Sequence, residues 1–272
     1  MTADTSARTD DPLAAEGALH DDRTIFGVGP GIWIWRTTVL LGILGLWKAA
    51  SLWWIDPFWI GDPAEVAATI ADWFARGTIW IHLWNTIWAT LISFALGTAL
   101  GVVTGIVLGL NNRLALVLDP FIGAFYSLPK VALAPLFILW FGIGIESKIA
   151  LATFGVFFLI FYNTYSGTRS VDSELVDVLR LMGARRGQII RKVVVPSALY
   201  WIFTGMRVSI PYAMIGVVVA EMMASNKGIG YLIQAAAGQF NTSGVFAALF
   251  VLVAISVILQ STLKRMEKAF IR

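Results

Sequence analysis

The 272-residue sequence contains no cysteine and only two histidines, His20 and His82. The absence of cysteine excludes a disulfide framework, a thiolate metal site and a cysteine nucleophile. Two histidines so far apart in the chain also argue against a histidine-based metal centre. Charged residues make up 14% of the chain, against roughly 25% in an ordinary soluble domain. With 58% hydrophobic residues, this composition excludes a disordered chain and argues against a water-soluble globule.

The sequence contains several long apolar segments. A helix that crosses a bilayer needs about 20 mostly apolar residues, and the sequence predicts an all-α integral membrane protein with six such spans. They are expected at residues 33–55, 84–110, 118–143, 148–167, 198–222 and 243–263. The 12 tryptophans and 17 phenylalanines fit this class, because tryptophan favours the membrane–water boundary.

Basic residues predict the orientation. With a cytoplasmic N-terminus, the inside segments hold fourteen Lys and Arg residues, and the outside segments hold only Arg76, Lys148 and Lys227. The positive-inside rule therefore places both termini in the cytoplasm. The acidic, polar residues 1–32 are predicted to be a cytoplasmic tail, and 267–272 a second one.

Residues 33–81 are predicted to hold the first span and an extracytoplasmic helix at the membrane interface, from Pro63 to Phe74 and ended by Gly77. The tryptophans around this helix suit an anchor at the outer boundary.

The second span carries a glycine at every fourth position: Gly97, Gly101, Gly105 and Gly109. This spacing puts all four on one stripe of a helix, where another backbone can approach closely. The stripe predicts close helix packing, either within the chain or against a second copy.

The third span contains Pro120, Pro129 and Pro135, with Lys130 near its middle. Proline removes backbone hydrogen bonds and kinks a helix, and an unpaired ammonium at this depth is costly. Two interpretations remain open: Lys130 contacts an anionic solute, or it pairs structurally, with Glu221 as a possible partner. The candidates for a translocation path are Tyr126, Lys130, Tyr162, Asn163, Tyr212 and Glu221.

Residues 168–197 are predicted to form a cytoplasmic elbow of two short helices meeting at Gly183. Asp172 is a plausible N-cap and Glu174 lies in the first turn. One apolar stripe comprises Leu175, Val178, Leu179 and Met182, and a second, which Pro196 is expected to close, comprises Ile189, Ile190, Val193 and Val194. The apolar face either docks a soluble protein or lies on the inner leaflet through Arg185, Arg186, Arg191 and Lys192.

This elbow resembles the EAA loop of binding-protein-dependent ABC importer permeases. Asp177-Val178-Leu179 stands at the acidic-small-small triplet, where Asp replaces Glu and Val-Leu replaces two alanines; Gly183 stands at the glycine and Val195-Pro196 at the closing pair. Segments resembling the nitrate/sulfonate/taurine branch are Leu128–Gly144, Asn163-Thr164, Phe203–Arg207, Val219–Met222 and Gly228–Gly230.

The resemblance implies a type I ABC importer (MetI-like) permease in a bacterial inner membrane, with residues 82–266 as its permease domain and 168–197 as the coupling loop. It implies a homodimer of permeases, two ATPase subunits, an extracytoplasmic binding protein and a small oxyanion such as nitrate, sulfonate, taurine or bicarbonate. The residues expected to couple to the ATPase are Glu174, Leu175, Asp177, Val178, Leu179, Met182, Gly183, Ala184, Arg185, Arg186 and Pro196. The chain has no Walker-type phosphate loop, so ATP and Mg are expected on the ATPase, with no cofactor or catalytic residue here.

Other solutes and other functions stay open at this point. The same branch includes permeases for pyrimidines, riboflavin and aromatic carboxylates. An ion-coupled secondary transporter would be expected to carry more deep charges and internal repeats, and a membrane enzyme would need a constellation of catalytic groups. A scaffold without transport activity is the third alternative.

Overall fold

The computed structural model describes residues 30–270, which are almost entirely helical and contain no β-strand. In chain order the helices are α1 Pro30–Trp53, α2 Pro57–Ile60, α3 Pro63–Ala75, α4 Ile79–Leu110, α5 Asn112–Ser127, α6 Ala134–Phe141, α7 Ile145–Arg169, α8 Ser173–Leu181, α9 Arg186–Ile189, α10 Val195–Met223, α11 Ile229–Gly238 and α12 Thr242–Phe270. A 3-10 turn at Lys130–Leu133 precedes α6, and a π-helical turn at Ile190–Val194 joins α9 to α10. The predicted N-terminal tail lies outside the described residues except for its last three positions.

The chain divides into two compact units between Ile55 and Asp56. In the first unit, α1 covers 24 residues, or about 36 Å at 1.5 Å per residue. It is long enough to cross a bilayer, but Arg36 and Lys48 interrupt its apolar sequence, and it is not among the helices that are both long and apolar enough to be candidate spans. The first predicted span is therefore a helix, and its membrane crossing remains a prediction.

In the second unit, four helical runs are long and apolar enough to cross a membrane: Ile79–Leu110, Ile145–Arg169, Arg186–Met223 and Thr242–Ala269. The bent pair Asn112–Ser127 and Lys130–Phe141 makes a fifth if it is counted as one span. The described residues thus provide four or five such spans, and the predicted total of six is reached only if α1 also crosses.

The predicted third span is broken, as its prolines indicated. The arms on either side of Pro129 are bent by 84°. The break falls at Leu128, whose extended backbone fits a residue before proline. Pro120 lies inside α5 without ending it, and Pro135 opens α6, where the missing N–H costs no hydrogen bond.

The glycine stripe of α4 faces α7 of the same chain. A Cβ added to Gly97, Gly101, Gly105 or Gly109 would lie 2.6–2.8 Å from a side-chain atom of α7. The α7 residues that meet the stripe are also four apart: Val156, Ile160, Thr164 and Thr168. The matched periods let the two helices run parallel at close range along their whole shared length.

The helix α10 also packs against α7, but it runs antiparallel to it, since Gly216 meets Ala152 and Gly205 meets Asn163. The ends at Leu110, Arg169 and Arg186 therefore share one side, called the elbow side below. The opposite ends, at Ile79, Ile145 and Met223, form the far side.

The helix predicted at the membrane interface is α3. The Asp62 side chain caps it by accepting from the Ala64 N–H at 2.7 Å. Its inner face joins the apolar core around Ile79 through Ile70 and Trp73. A hydrogen bond of 2.9 Å from the Ser243 hydroxyl to Glu65 Oε2 ties it to α12. On the far side, α3 is thus packed onto the helical bundle as well as being amphipathic.

Candidate coupling and translocation sites

The elbow consists of α8, the turn at Gly183 and α9. Asp172 caps α8 by accepting from the Glu174 N–H at 2.8 Å, so the predicted N-cap is present. The helix ends before Gly183, which has φ +82°. This left-handed conformation is strained for residues with a side chain, and it reverses the chain into α9.

The two apolar stripes of the elbow have opposite surroundings. In the first stripe, on and just after α8, Leu175, Val178 and Met182 are exposed, Met182 by 77%. The neighbouring Leu181, which is not part of the predicted stripe, is 88% exposed. Leu179 of the same predicted stripe is half-buried. In the second stripe, Ile189 and Val194 are buried within the chain. Only the first stripe therefore lacks a covering element among the described residues.

Pro196 does not close the second stripe, contrary to the prediction. Helical structure continues from Arg186 to Met223, and the π-helical turn at Ile190–Val194 lies immediately before the proline. The Val195 N–H bonds back to the Ile190 carbonyl, five residues earlier. This wider turn lets the chain pass a residue that has no N–H and crowds the preceding turn. The second arm of the elbow, α9, is therefore continuous with the span α10.

A cleft of about 610 Å³ separates the elbow from the elbow-side ends of α4 and α7. Asp177, Ala184 and Arg186 of the predicted coupling set line it, as do Gly109 and Thr168. Asp177 also holds Arg180 in an exposed ion pair of 3.0 Å. The remaining predicted coupling residues are exposed on or beside the elbow: Glu174, Gly183, Arg185 and Pro196.

Three of the six predicted path residues meet at one cavity. Tyr126, Lys130 and Tyr212 line a space of about 260 Å³ between the bent span, α7 and α10. The Lys130 ammonium donates to the Tyr126 carbonyl and lies 4.3 Å from the centre of the Tyr126 ring. No carboxylate pairs with Lys130 among residues 30–270. This lysine is therefore a cation on the wall of a cavity, with ring and carbonyl contacts in place of a counter-charge.

Two of the other predicted path residues lie on α7 outside that cavity lining. Tyr162 packs against Tyr126, with ring centres 4.5 Å apart. Asn163 donates to the Leu159 carbonyl of its own helix at 2.8 Å and packs where Gly205 brings α10 close. Asn163 thus occupies a helix-packing position.

Glu221 is not a partner of Lys130, contrary to one of the two interpretations. It is 1% exposed at the far side, where its carboxylate lies 3.4 Å from the ammonium of Lys148. The Thr86 hydroxyl and the Gly230 N–H also donate to it, at 2.9–3.0 Å. The carboxylate is fully surrounded by donors and has no open side toward the cavity.

The turn at Gly228 closes over this buried carboxylate. Gly228 has φ +116°, and a Cβ there would lie 2.0 Å from the Glu221 carboxylate. The Gly228 nitrogen is 3.1 Å from His82 Nδ1, and the Ile229 N–H donates to the Thr86 hydroxyl at 2.9 Å. The far-side network, defined as His82, Thr86, Lys148, Glu221 and the turn at Gly228–Gly230, joins α4, α7 and α10 to α11.

The sequence pattern did not assign Lys148, Thr86 or His82 to this network. The glutamate and the glycine pair had been singled out only as separate motifs. Because the pairing joins residues 73 to 146 positions apart, no local spacing contains it. The signal available in the sequence was charge at the predicted end of two spans, which requires a partner or water.

A second ion pair ties α10 to α12 nearer the elbow side. Arg207 Nε donates to Glu267 Oε2 at 2.7 Å, and its terminal nitrogen donates to the other carboxylate oxygen. This bidentate arrangement fixes the relative position of the two helices. Across the described residues, no three His, Cys, Asp or Glu side chains converge in a way that would hold a metal ion.

Curated relatives cover most of the chain. The riboflavin transport system permease protein RibX of Chloroflexus aurantiacus is 37% identical over 86% of this chain and 87% of its own length. The formylaminopyrimidine transport permease protein ThiX of Halalkalibacterium halodurans is 30% identical over 85% and 92%. The taurine transport system permease protein TauC of Escherichia coli is 29% identical over 87% and 91%. These relatives carry different solutes in their names.

The fold agrees with these relatives. A chain of the MetNI methionine ABC transporter, solved in inward facing conformations, superposes with a TM-score of 0.63 at 21% identity, covering 72% of this chain and 99% of that one. The MetI-like fold predicted from the sequence is thereby confirmed. Residues 97–272 match the family model described as binding-protein-dependent transport system inner membrane component. The chain belongs to this family and is a multi-pass membrane permease subunit of an ABC importer.

Proposed function

We propose that this chain forms the solute passage of an ATP-driven importer in a bacterial inner membrane and that a separate ATPase acts on its elbow. Two copies of the chain, two ATPase subunits and an extracytoplasmic binding protein make up the working assembly. ATP and Mg are bound by the ATPase, and this chain contributes no catalytic residue.

The observation that carries the proposal is the uncovered apolar stripe of α8. A nine-residue helix is too short to be stable in water without a packing partner, and Leu181 and Met182 are its most exposed apolar neighbours. A pocket on the ATPase supplies such a partner. Closure of the ATPase around ATP shifts the conformational equilibrium of the permease only if the ATPase binds the elbow more tightly in one permease conformation than in the other. Because α9, the second arm of the elbow, continues into α10, that difference reaches a membrane span directly.

The test is the double variant Leu181→Asp, Met182→Asp, with Leu181→Met as the matched apolar control. The charged variant is expected to insert into the membrane normally, to lose co-purification with the ATPase and to lose at least about 90% of ATP-dependent uptake. The control keeps both. Full uptake by the charged variant would refute the role of this stripe.

For the solute, we infer a small oxyanion such as nitrate, a sulfonate, taurine or bicarbonate. The support is the cavity of about 260 Å³ beside Lys130, whose ammonium has no carboxylate partner among the described residues. The name of the relative TauC is in line with this class. Lys130→Gln is expected to raise the KM for uptake about tenfold, while Lys130→Arg keeps it within about threefold because the charge remains.

An aromatic solute, namely a pyrimidine, riboflavin or an aromatic carboxylate, is the second candidate. The rings of Tyr126 and Tyr212 at the same cavity favour it, since aromatic faces stack on such solutes. Ligand screening of the companion binding protein decides between the two classes. An aromatic solute predicts that Tyr212→Leu impairs uptake more than Lys130→Gln does, and an oxyanion predicts the reverse order.

A further inference from the structure

Arg169, the last residue of α7, has a setting similar to that of Lys130. Lys148 and Arg207 in the same bundle face buried glutamates, but neither Lys130 nor Arg169 has a carboxylate partner among residues 30–270. Each lies against a tyrosine ring instead, Lys130 at 4.3 Å and Arg169 at 5.5 Å from the ring centre. These two cations keep their charge available to a ligand.

One face of α7 connects the two cations. Phe158, Tyr162, Tyr165 and Arg169 follow the spacing i, i+4, i+7 and i+11, which lines one side of a helix. Lys130 lies 5.7 Å from the centre of the Phe158 ring, and Tyr162 packs on Tyr126 of the cavity. The strip therefore runs about 16 Å, at 1.5 Å per residue, from the Lys130 cavity to the elbow side.

The guanidinium of Arg169 is held in place by hydrogen bonds that leave several of its N–H donors unused. Its Nη1 donates to the Tyr165 hydroxyl at 2.9 Å and to Asn112 Oδ1 at 3.0 Å. Both contacts use the same nitrogen. The other guanidinium N–H groups have no hydrogen-bond partner in the described part of the chain. A planar guanidinium that is held at one nitrogen and has its other N–H donors free is suited to binding a carboxylate, sulfonate or phosphate group.

The strip has a cation at each end and the two tyrosines Tyr162 and Tyr165 between them. An anion is therefore favoured at either end, which is the pattern of two separate binding positions.

We propose that Arg169, with Tyr165 and Asn112, forms a second anion-binding position at the elbow-side mouth of the passage, which receives an oxyanion after it leaves the Lys130 cavity. This inference rests on the proposed oxyanion transport and extends it to the release step. A lipid phosphate has the same chemistry, and the experiment separates the two sources.

Because the chain has no cysteine, Ser166→Cys introduces a single reporter thiol one turn before Arg169 on the same face. The complete transporter, including its ATPase, is placed in lipid nanodiscs. The probes are 2-sulfonatoethyl methanethiosulfonate, which is itself a small sulfonate, and its trimethylammonium counterpart. The measurement is the ratio of their two labelling rates. A complex without Ser166→Cys accounts for thiols on the partner subunits.

Arg169→Gln is expected to lower the anionic-to-cationic rate ratio about fivefold, because a nearby unit charge shifts opposite ions in opposite directions. Arg113→Gln, an exposed cation beside Asn112, is the control for general surface charge and is expected to change the ratio much less. The drop must occur both in pure phosphatidylcholine and in phosphatidylcholine with phosphatidylglycerol.

An unchanged ratio in both lipids overturns the proposal. A drop that is confined to pure phosphatidylcholine also overturns it, because anionic lipid then covers Arg169 whenever it is present. Neither result depends on the transported solute. If the binding protein binds only neutral solutes, the proposed oxyanion transport is wrong, regardless of the labelling ratio that is measured. If oxyanion uptake depends on Lys130 while the ratio is unchanged, only the second position fails.

Discussion

The ammonium of Lys148 and the carboxylate of Glu221 lie 3.4 Å apart, both buried, at the far-side ends of α7 and α10. Removing one member of a buried pair leaves an uncompensated charge, which costs about 3–5 kcal/mol. We expect Lys148→Met to lower the midpoint of thermal unfolding in detergent markedly, as measured by the loss of monodisperse protein on heating.

The double variant Lys148→Met, Glu221→Gln is expected to recover most of that loss, because no lone charge remains in the interior. Lys227→Met, which removes an exposed ammonium near the same turn, is the control and should leave the midpoint unchanged. A double variant as unstable as Lys148→Met would show that the charges are not coupled.

Gly101 lies on the stripe where α4 packs against α7, and a Cβ there would be 2.9 Å from the Phe157 carbonyl, a backbone atom that cannot rotate away. We expect Gly101→Val to overpack this contact and to destabilise the bundle by about 1–3 kcal/mol. The yield of folded protein after detergent extraction measures it. Gly123→Val on α5, where no atom lies within 4 Å of the added Cβ, should keep the wild-type yield unless the effect comes from valine in a helix alone.

Gly183 and Gly187 provide a matched pair in the elbow. Both would place a Cβ in open space, but only Gly183 has a positive φ. Valine at Gly183 is expected to cost about 1–2 kcal/mol of backbone strain and to reduce ATP-dependent uptake while membrane insertion stays normal. Gly187→Val should transport at close to the wild-type rate. Equal uptake by the two variants would contradict a role for the left-handed turn.

The bidentate contact between Arg207 and Glu267 predicts a difference between two basic side chains. Arg207→Lys keeps the charge but loses one of the two parallel hydrogen bonds. Since the arginine is half exposed, the loss of stability should be modest, about 1 kcal/mol or less. A double-mutant cycle with Glu267→Gln measures the coupling, which is expected to vanish at high salt if the pair is mainly a surface interaction.

Periodic features of the sequence predicted the structure best. The glycine spacing predicted close helix packing, but it could not identify α7 as the partner, because that depends on which helices become neighbours. Asp172 and Gly183 correctly predicted where α8 begins and ends, since capping and a left-handed turn depend on neighbouring residues only. Pro196 misled the prediction, because a π-helical turn just before it lets the helix continue.

The candidate sites were predictable only in part, for a related reason. Tyr126, Lys130 and Tyr212 meet at one cavity, but Glu221 was assigned to the path and lies in the far-side network instead. A charge inside a span signals that a partner or water is needed, and it does not say which. The partner Lys148 comes from another helix running in the opposite direction, so the pairing emerges only in three dimensions.

The uninterrupted run from Arg186 to Met223 has a mechanical consequence. At 1.5 Å per residue it measures about 57 Å, with the elbow at one tip and Glu221 beside the other. Under the proposed function, a push by the ATPase on α9 would therefore reach the Glu221 network on the far side through one helical run. Opening of the passage at one end and closing at the other would then result from a single movement of this helical run.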